Sequence, residues 1–162
     1  MEAASYIKGS TRYNVQPITT YEMIEHDIGM VLELIEGTSL SEYRYNMEVA
    51  VDQGLAYAVY KGLTRLGFVY NRIEGNKYYG SSIFIHKDII GTMIALRTMF
   101  EIVDYKKIEF APHKDNLKYF KSMIAGNNIR AYHSGRPTVT ITKDKMWDEG
   151  VRLFKYFGLE KV

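Results

Sequence analysis

Cysteine is missing from all 162 residues. No disulfide can brace the chain and no thiolate can hold a metal, an absence that suits a reducing compartment. Also missing is any apolar run near the ~18 residues that a membrane span needs. Residues 1–12 contain no apolar core of signal-peptide length, so the expected location is the cytoplasm. Neither sign of charge predominates: 21 basic residues stand against 19 acidic ones, a formal charge of +2. Nucleic acid binding calls for a concentrated basic surface, so this balance argues against nucleic acid as the main partner. His26, His86, His113 and His133 are scattered, without the close helical pairing of a zinc enzyme, and no metal is expected. Ser-His-Asp hydrolase motifs, Walker loops and dinucleotide fingerprints are absent as well.

What remains is ordinary globular material with 46% apolar and 25% charged residues, enough for one core in one domain. Its unusual feature is fourteen tyrosines. Most fall in strand-like segments, where an apolar body with a polar tip suits a sheet surface.

Along the chain, residues 1–12 read as a flexible lead and 13–18 as a first strand. Thr19 and Glu22 have the spacing of a capping box, and Ile24, Ile28, Val31, Leu32 and Ile35 follow at helical spacing up to Gly37. Ser39 and Glu42 repeat the signature before a second helix over 40–53, with Tyr45, Val49 and Ala50 on one face. The period then changes to that of strands over 55–60, 66–73 and 78–86, parted by turn sequences at Lys61-Gly62 and at residues 74–77. Asp88 caps a helix with Met93, Leu96, Phe100 and Val103 inward. A strand at 106–111 and a helix at 114–125, with Leu117, Phe120 and Ile124 inward, come next. Strands at 129–133 and 138–142 flank the turn at 134–137, and a helix over 144–157 carries the stripe Trp147, Val151, Phe154. The order is β-α-α-β-β-β-α-β-α-β-β plus a C-terminal helix. It predicts an α/β (α+β) fold, a mixed, mostly antiparallel sheet flanked by helices. The domain spans 13–142, and the helix of 143–162 packs on it or on a partner.

From Tyr13 to Thr142 this order resembles the GNAT N-acetyltransferase superfamily. Residues 78–86 are similar to that family's fourth strand, the helix after Asp88 to the one that receives the acetyl-CoA pyrophosphate, and 108–124 to its fifth strand and fourth helix. The resemblance implies acetyl-CoA as co-substrate and an amine as acceptor, a small molecule or a protein. It also implies a cleft where the fourth and fifth strands splay and the pantetheine arm bonds like a missing strand. A helix N-terminus, with free N–H groups and the positive end of the helix dipole, would face the diphosphate. The cofactor-binding set implied is Ile85, Lys87, Ile90, Gly91, Thr92 and Asn116.

Two departures from the family pattern stand in the residues. Asp88, Gly91 and Met93 fall on the three phosphate-loop positions, and only Gly91 matches. Asp88 brings a carboxylate there, which Lys87 can offset; equally, Asp88 is a plain helix cap and Gly91 a packing glycine. The hydroxyl that protonates the departing thiolate in many members falls one residue early, on Tyr119, with Phe120 in the usual place. Short phage members of the fold also carry an apolar residue there.

The catalytic candidates are therefore Tyr119 as acid and His86, at a strand end, as base. A near-neutral intrinsic pKa suits the latter, although a lone strand-end His is also an ordinary surface residue. Glu74 and Glu109 are weaker candidates, and His113 caps or precedes a helix. Lys106, Lys107, Lys114, Lys118 and Lys121 form either a seat for the CoA 3′-phosphate or a solvated face. Two functions follow: an N-acyltransferase, or a catalytically degenerate phage protein of the same fold that acts in the virion or on a host partner. If the Trp147 stripe docks on a second copy, the protein is a homodimer.

Overall fold

The computed structural model describes residues 4–31, 40–75, 77–81, 88–110, 112–123 and 139–162. Its centre is a six-stranded sheet in the order β5-β4-β3-β2-β1-β8, built from β1 (Ala4–Lys8), β2 (Thr11–Pro17), β3 (Ala56–Lys61), β4 (Thr64–Glu74), β5 (Lys77–Ser81) and β8 (Leu159–Lys161). A separate ribbon pairs β6 (Lys107–Phe110) with β7 (Val139–Thr142). All pairings among the described residues are antiparallel.

Helices cover both faces of the sheet. Ala56, Ala58, Phe68 and Tyr70 turn to one side, where Ile24 and Ile28 of α1 (Ile24–Val31) and Met47, Ala50 and Val51 of α2 (Leu40–Asp52) pack on them. Tyr57, Val59 and Val69 turn to the other side, toward α3 (Ile89–Ile102) and α4 (Lys143–Tyr156). Because successive residues point to opposite faces and both faces are covered, the middles of β3 and β4 are buried continuously rather than alternately. Ten of the fourteen residues of α3 are buried, so this helix is apolar almost all round. Its polar seam is Arg97, bonded to Glu101 one turn on at 2.9 Å.

The β3–β4 hairpin turns at Gly62, whose φ of 59° is costly for a residue with a Cβ. Gly158, with φ of 68°, makes the matching reversal between α4 and β8.

Several expectations are corrected. The segment read as a flexible lead contains β1, paired with β2 from Ala4↔Val15 to Lys8↔Thr11 and anchored by the fully buried Tyr6. One apolar anchor amid small and polar residues is too little sequence signal for a strand that gains its stability from its neighbour. The first helix begins at Ile24, not after Thr19; the turn through Tyr21 precedes it, with the Ile24 N–H donating to the Tyr21 carbonyl at 3.1 Å. Tyr45 points outward, and the inner face of α2 is Met47, Ala50 and Val51. Lys114–Met123 is a 3-10 helix. Strand β8 was not expected at all.

The expected strand at 129–133 and the turn at 134–137 lie outside the described residues, as do the side chains of Trp147 and Val151. Two described side chains of α4 pack on the chain's own body. Met146 and Phe154 are buried, with Phe154 edge-on to Tyr6 at 6.0 Å and the Arg97 guanidinium 5.3 Å from its ring.

Candidate functional site

The first turn of α3 is where three of the six expected binding residues, Ile90, Gly91 and Thr92, fall. Asp88 is its N-cap, in extended conformation, and its Oδ1 accepts the Gly91 N–H at 3.0 Å. Its carbonyl accepts both the N–H and the hydroxyl of Thr92, each at 3.0 Å. A short acidic residue just before an apolar helix satisfies these donors locally, the Gly91 N–H by its side chain and Thr92 by its carbonyl, which is why the cap was legible. The other carboxylate oxygen, Oδ2, lies 3.9 Å from the Lys61 ammonium, at the end of β3. Lys61 in turn sits 6.0 Å from the ring centre of Tyr13, its cross-strand partner on β2. Burial, followed by the Asp88 carboxylate, pushes the Tyr13 hydroxyl up to about 12.

The turn therefore has three charged or ionisable groups around it. The dipole and Lys61 attract an anion; Asp88 repels one and already occupies the Gly91 amide. Ile90 and Thr92 are buried, and Met93 is wholly so, within the main core.

The remaining candidates divide. Ile85, His86 and Lys87 lie outside the described residues. Asn116 is buried, its N–H donating to the His113 carbonyl at 2.8 Å. His113 precedes the 3-10 helix, and its Nδ1 accepts the Asp115 N–H at 3.1 Å. Tyr119 and Phe120 part company. Phe120 is fully buried, edge-on to Phe110 at 5.1 Å. Tyr119 is half-buried and edge-on to Phe157 at 5.4 Å, and Phe157 in turn carries the Lys8 ammonium 5.8 Å from its ring. With three residues per turn, neighbours on a 3-10 helix diverge by about 120°, so Tyr119 does not share the inward direction of Phe120. Glu74 is exposed and pairs with Arg72 at 2.8 Å; the side chain of Glu109 lies outside the described residues. Lys106, Lys107 and Lys118 are exposed.

A second constellation escaped the sequence reading. Asp27 on α1 is fully buried. The Arg65 guanidinium grips its carboxylate in a fork, Nη1 on Oδ1 and Nη2 on Oδ2, the latter at 3.0 Å. The Tyr70 hydroxyl donates to Oδ2 at 2.6 Å, and His26 Nδ1 lies 3.2 Å from Oδ1. Arg65 also stacks 5.5 Å from the Phe68 ring. Burial and the Asp27 carboxylate both raise the Tyr70 pKa. For Arg65, burial is the largest single effect and pulls downward, but the Asp27 bond and charge together with Tyr70 and Tyr60 outweigh it, leaving the guanidinium above its ordinary value.

Removing one partner from such a buried pair costs about 3–5 kcal/mol, because the other charge is left uncompensated. One signal was available: Asp27 falls three residues after Ile24 and four before Val31, on the helix's apolar stripe. A carboxylate in that position needs a buried partner.

A third polar pair closes the opposite side of the sheet. The Tyr105 hydroxyl donates to Asn71 Oδ1 at 3.0 Å, while Asn71 Nδ2 donates to the Leu55 carbonyl at 3.2 Å. Among the described residues no group of three His, Cys, Asp or Glu side chains could hold a metal, and no helix is long and apolar enough to cross a membrane. No protein-family model matches the chain, and neither does any curated protein.

Proposed function

We propose that this chain is a GNAT-like N-acyltransferase that binds acetyl-CoA beside α3 and passes the acetyl group to an amine. The observation that carries the reading is the split around α3. Strands β5 and β6, which flank that helix in sequence, belong to different sheets. On this reading they correspond to the pair that the family holds apart around the pantetheine arm; among the described residues no ladder joins them, and unpaired strand edges can hydrogen-bond an extended arm. The N-terminus of α3, with Lys61 beside it, supplies attraction for the diphosphate. Tyr119, half-exposed beside Phe157, is the acid for the departing thiolate, and His86 the base for the amine.

Isothermal titration with acetyl-CoA tests this directly. Binding in the micromolar range is expected, and none at millimolar ligand overturns the reading. Asp88→Asn keeps an equally good cap while removing the charge, so it should tighten acetyl-CoA binding several-fold if the diphosphate sits there. Tyr119→Phe should lower turnover by about 10²-fold or more with binding unchanged.

A second reading has its own observation. The Asp88 carboxylate already takes the Gly91 N–H, and Phe120 fills the core where the family often keeps a hydroxyl. Those features favour a catalytically degenerate protein of the same fold, in a virion or on a host partner. The same titration separates the two: such a protein binds no acetyl-CoA, and Asp88→Asn does not create binding.

A further inference from the structure

We propose that the side of the fold bearing α3 and α4 binds single-stranded nucleic acid, DNA or RNA. Bases stack on Tyr119, Tyr156 and Phe157, and Lys8, Lys118 and Lys155 meet the phosphates. The near-neutral total charge, which argues against such a partner, is a sum over two unlike parts. Of the 21 basic and 19 acidic residues, residues 21–53 hold eight acids and a single base, Arg44, leaving 20 bases and 11 acids for the rest of the chain. The acidic segment contains α1 and α2, which pack on one face of the sheet. On the other side lie α3, α4 and the 3-10 helix, whose Phe120 joins the opposite core. Charge is thus divided by the sheet, so a polyanion is attracted to one side and repelled by the other.

On the basic side three aromatic rings form a chain. Tyr119 is edge-on to Phe157 at 5.4 Å, and Phe157 is edge-on to Tyr156 at 5.1 Å. Tyr156 ends α4 and is 76% exposed, while the other two rings are half-buried and so held in place. Each half-buried ring has an ammonium beside it: Lys8 lies 5.8 Å from the Phe157 centre and Lys118 5.2 Å from that of Tyr119. Lys155, next to Tyr156, is exposed as well. The segments 115–119 and 155–162 contain two acids, Asp115 and Glu160. Asp115 lies 3.6 Å from His113, and β8 turns Glu160 with Ile7 to the face opposite Lys8.

Rings fixed beside cations are what a single strand requires, since every base has a π-face to stack and every nucleotide a phosphate to neutralise. Adjacent ring planes differ by 69° and 77°. They suit bases that turn independently, not a duplex, whose base faces already cover one another. The same edge-to-face packing disfavours a lipid surface, which takes up apolar side chains projecting together. The inference does not rest on the acyltransferase reading: it uses the ring of Tyr119 and not its hydroxyl.

Fluorescence anisotropy of the full chain with labelled oligothymidylate and oligouridylate, each of about 12 nucleotides, tests this. Micromolar binding of at least one is expected at low salt, weakening as salt rises, and the tighter of the two identifies the kind of strand. A duplex of equal length should bind at least about fivefold more weakly. No binding of either strand at about 100 μM protein, or a duplex bound as tightly, overturns the proposal. Tyr156→Ala, at an exposed position, should weaken binding at least about fivefold without altering its salt dependence. Lys8→Gln and Lys118→Gln should each reduce the slope of log affinity against log salt by about 0.7, whereas Glu22→Gln in the acidic segment should leave it unchanged. Wild-type affinity in Tyr156→Ala, or lysine variants that behave as Glu22→Gln does, shows attraction by general charge and overturns the assigned site. Tyr119→Phe keeps the ring and should hold wild-type affinity for the strand even where it lowers acetyl transfer, so the two readings fail separately. Capture by phosphatidylserine vesicles without strand binding marks a lipid surface instead and also overturns the proposal.

Discussion

The Tyr6 hydroxyl is buried without a hydrogen-bond partner among the described residues, whereas the Tyr105 hydroxyl donates to Asn71 Oδ1 at 3.0 Å. The two phenols therefore contribute differently although both rings are core. Removing the Tyr6 oxygen removes an unsatisfied polar atom; removing that of Tyr105 leaves Asn71 with an orphaned acceptor. Tyr6→Phe should leave stability unchanged or raise it by up to about 1 kcal/mol, and Tyr105→Phe should lower it by about 1–2 kcal/mol. Urea denaturation of the two variants checks this, and a larger loss for Tyr6→Phe would show that its hydroxyl holds a water. Residue chemistry was legible where the partner is near in sequence, as with Asp88 and the Gly91 amide three residues on. It was hidden where the partner arrives from afar: Asp27 meets Arg65 across 38 positions and Tyr70 across 43.

Among elements, α3 shows how a local signal and a tertiary environment agree. Asp88 sets its start, and apolar residues all round it suit a helix enclosed by the sheet, the β6–β7 ribbon and α4. Asp88→Ala should lower stability by about 1 kcal/mol and Tm by about 2–4 °C. Asp88→Asn should hold near wild type, since asparagine caps equally well; thermal melts of both variants distinguish loss of the cap from loss of the Lys61 contact. Other elements misled the sequence reading for physical reasons. Leu117 and Phe120 are three apart, a spacing that serves a 3-10 helix and an α-helix alike. Strand β8 has three residues and exists through pairing with β1, from Tyr6↔Lys161 to Lys8↔Leu159. No periodicity can be read from three residues.

The whole molecule has an alkaline weakness. Burial leads in pushing Tyr6 and Tyr13 up to about 12, against an ordinary value of 10.0, and it raises Tyr70 and Tyr105 as well. In the unfolded chain these phenols ionise near their ordinary value, while in the folded chain they stay protonated. The stability tied to the neutral phenols is thus fully present below about pH 10 and is lost as pH rises through about 12. Phenolate absorbance followed with circular dichroism should show these tyrosines ionising together as the fold is lost. Their ionisation near pH 10 with structure intact would contradict the burial argument.

The sequence by itself determined the class of fold, the described strands between 56 and 81, the helix over 89–102, the Asp88 cap and the two turns at Gly62 and Gly75, because each depends on neighbours within a few residues. It also determined that a carboxylate, Asp88, and a methionine, Met93, stand about the first turn of α3. Only the tertiary structure decided that β1 and β8 extend the sheet, that β5 and β6 part into separate sheets, and that Asp27 is locked to Arg65 and Tyr70. Strand partners and buried ion pairs are chosen by which distant segments share the interior. The free energy of that choice lies in desolvation and pairing, quantities that no local window of residues contains.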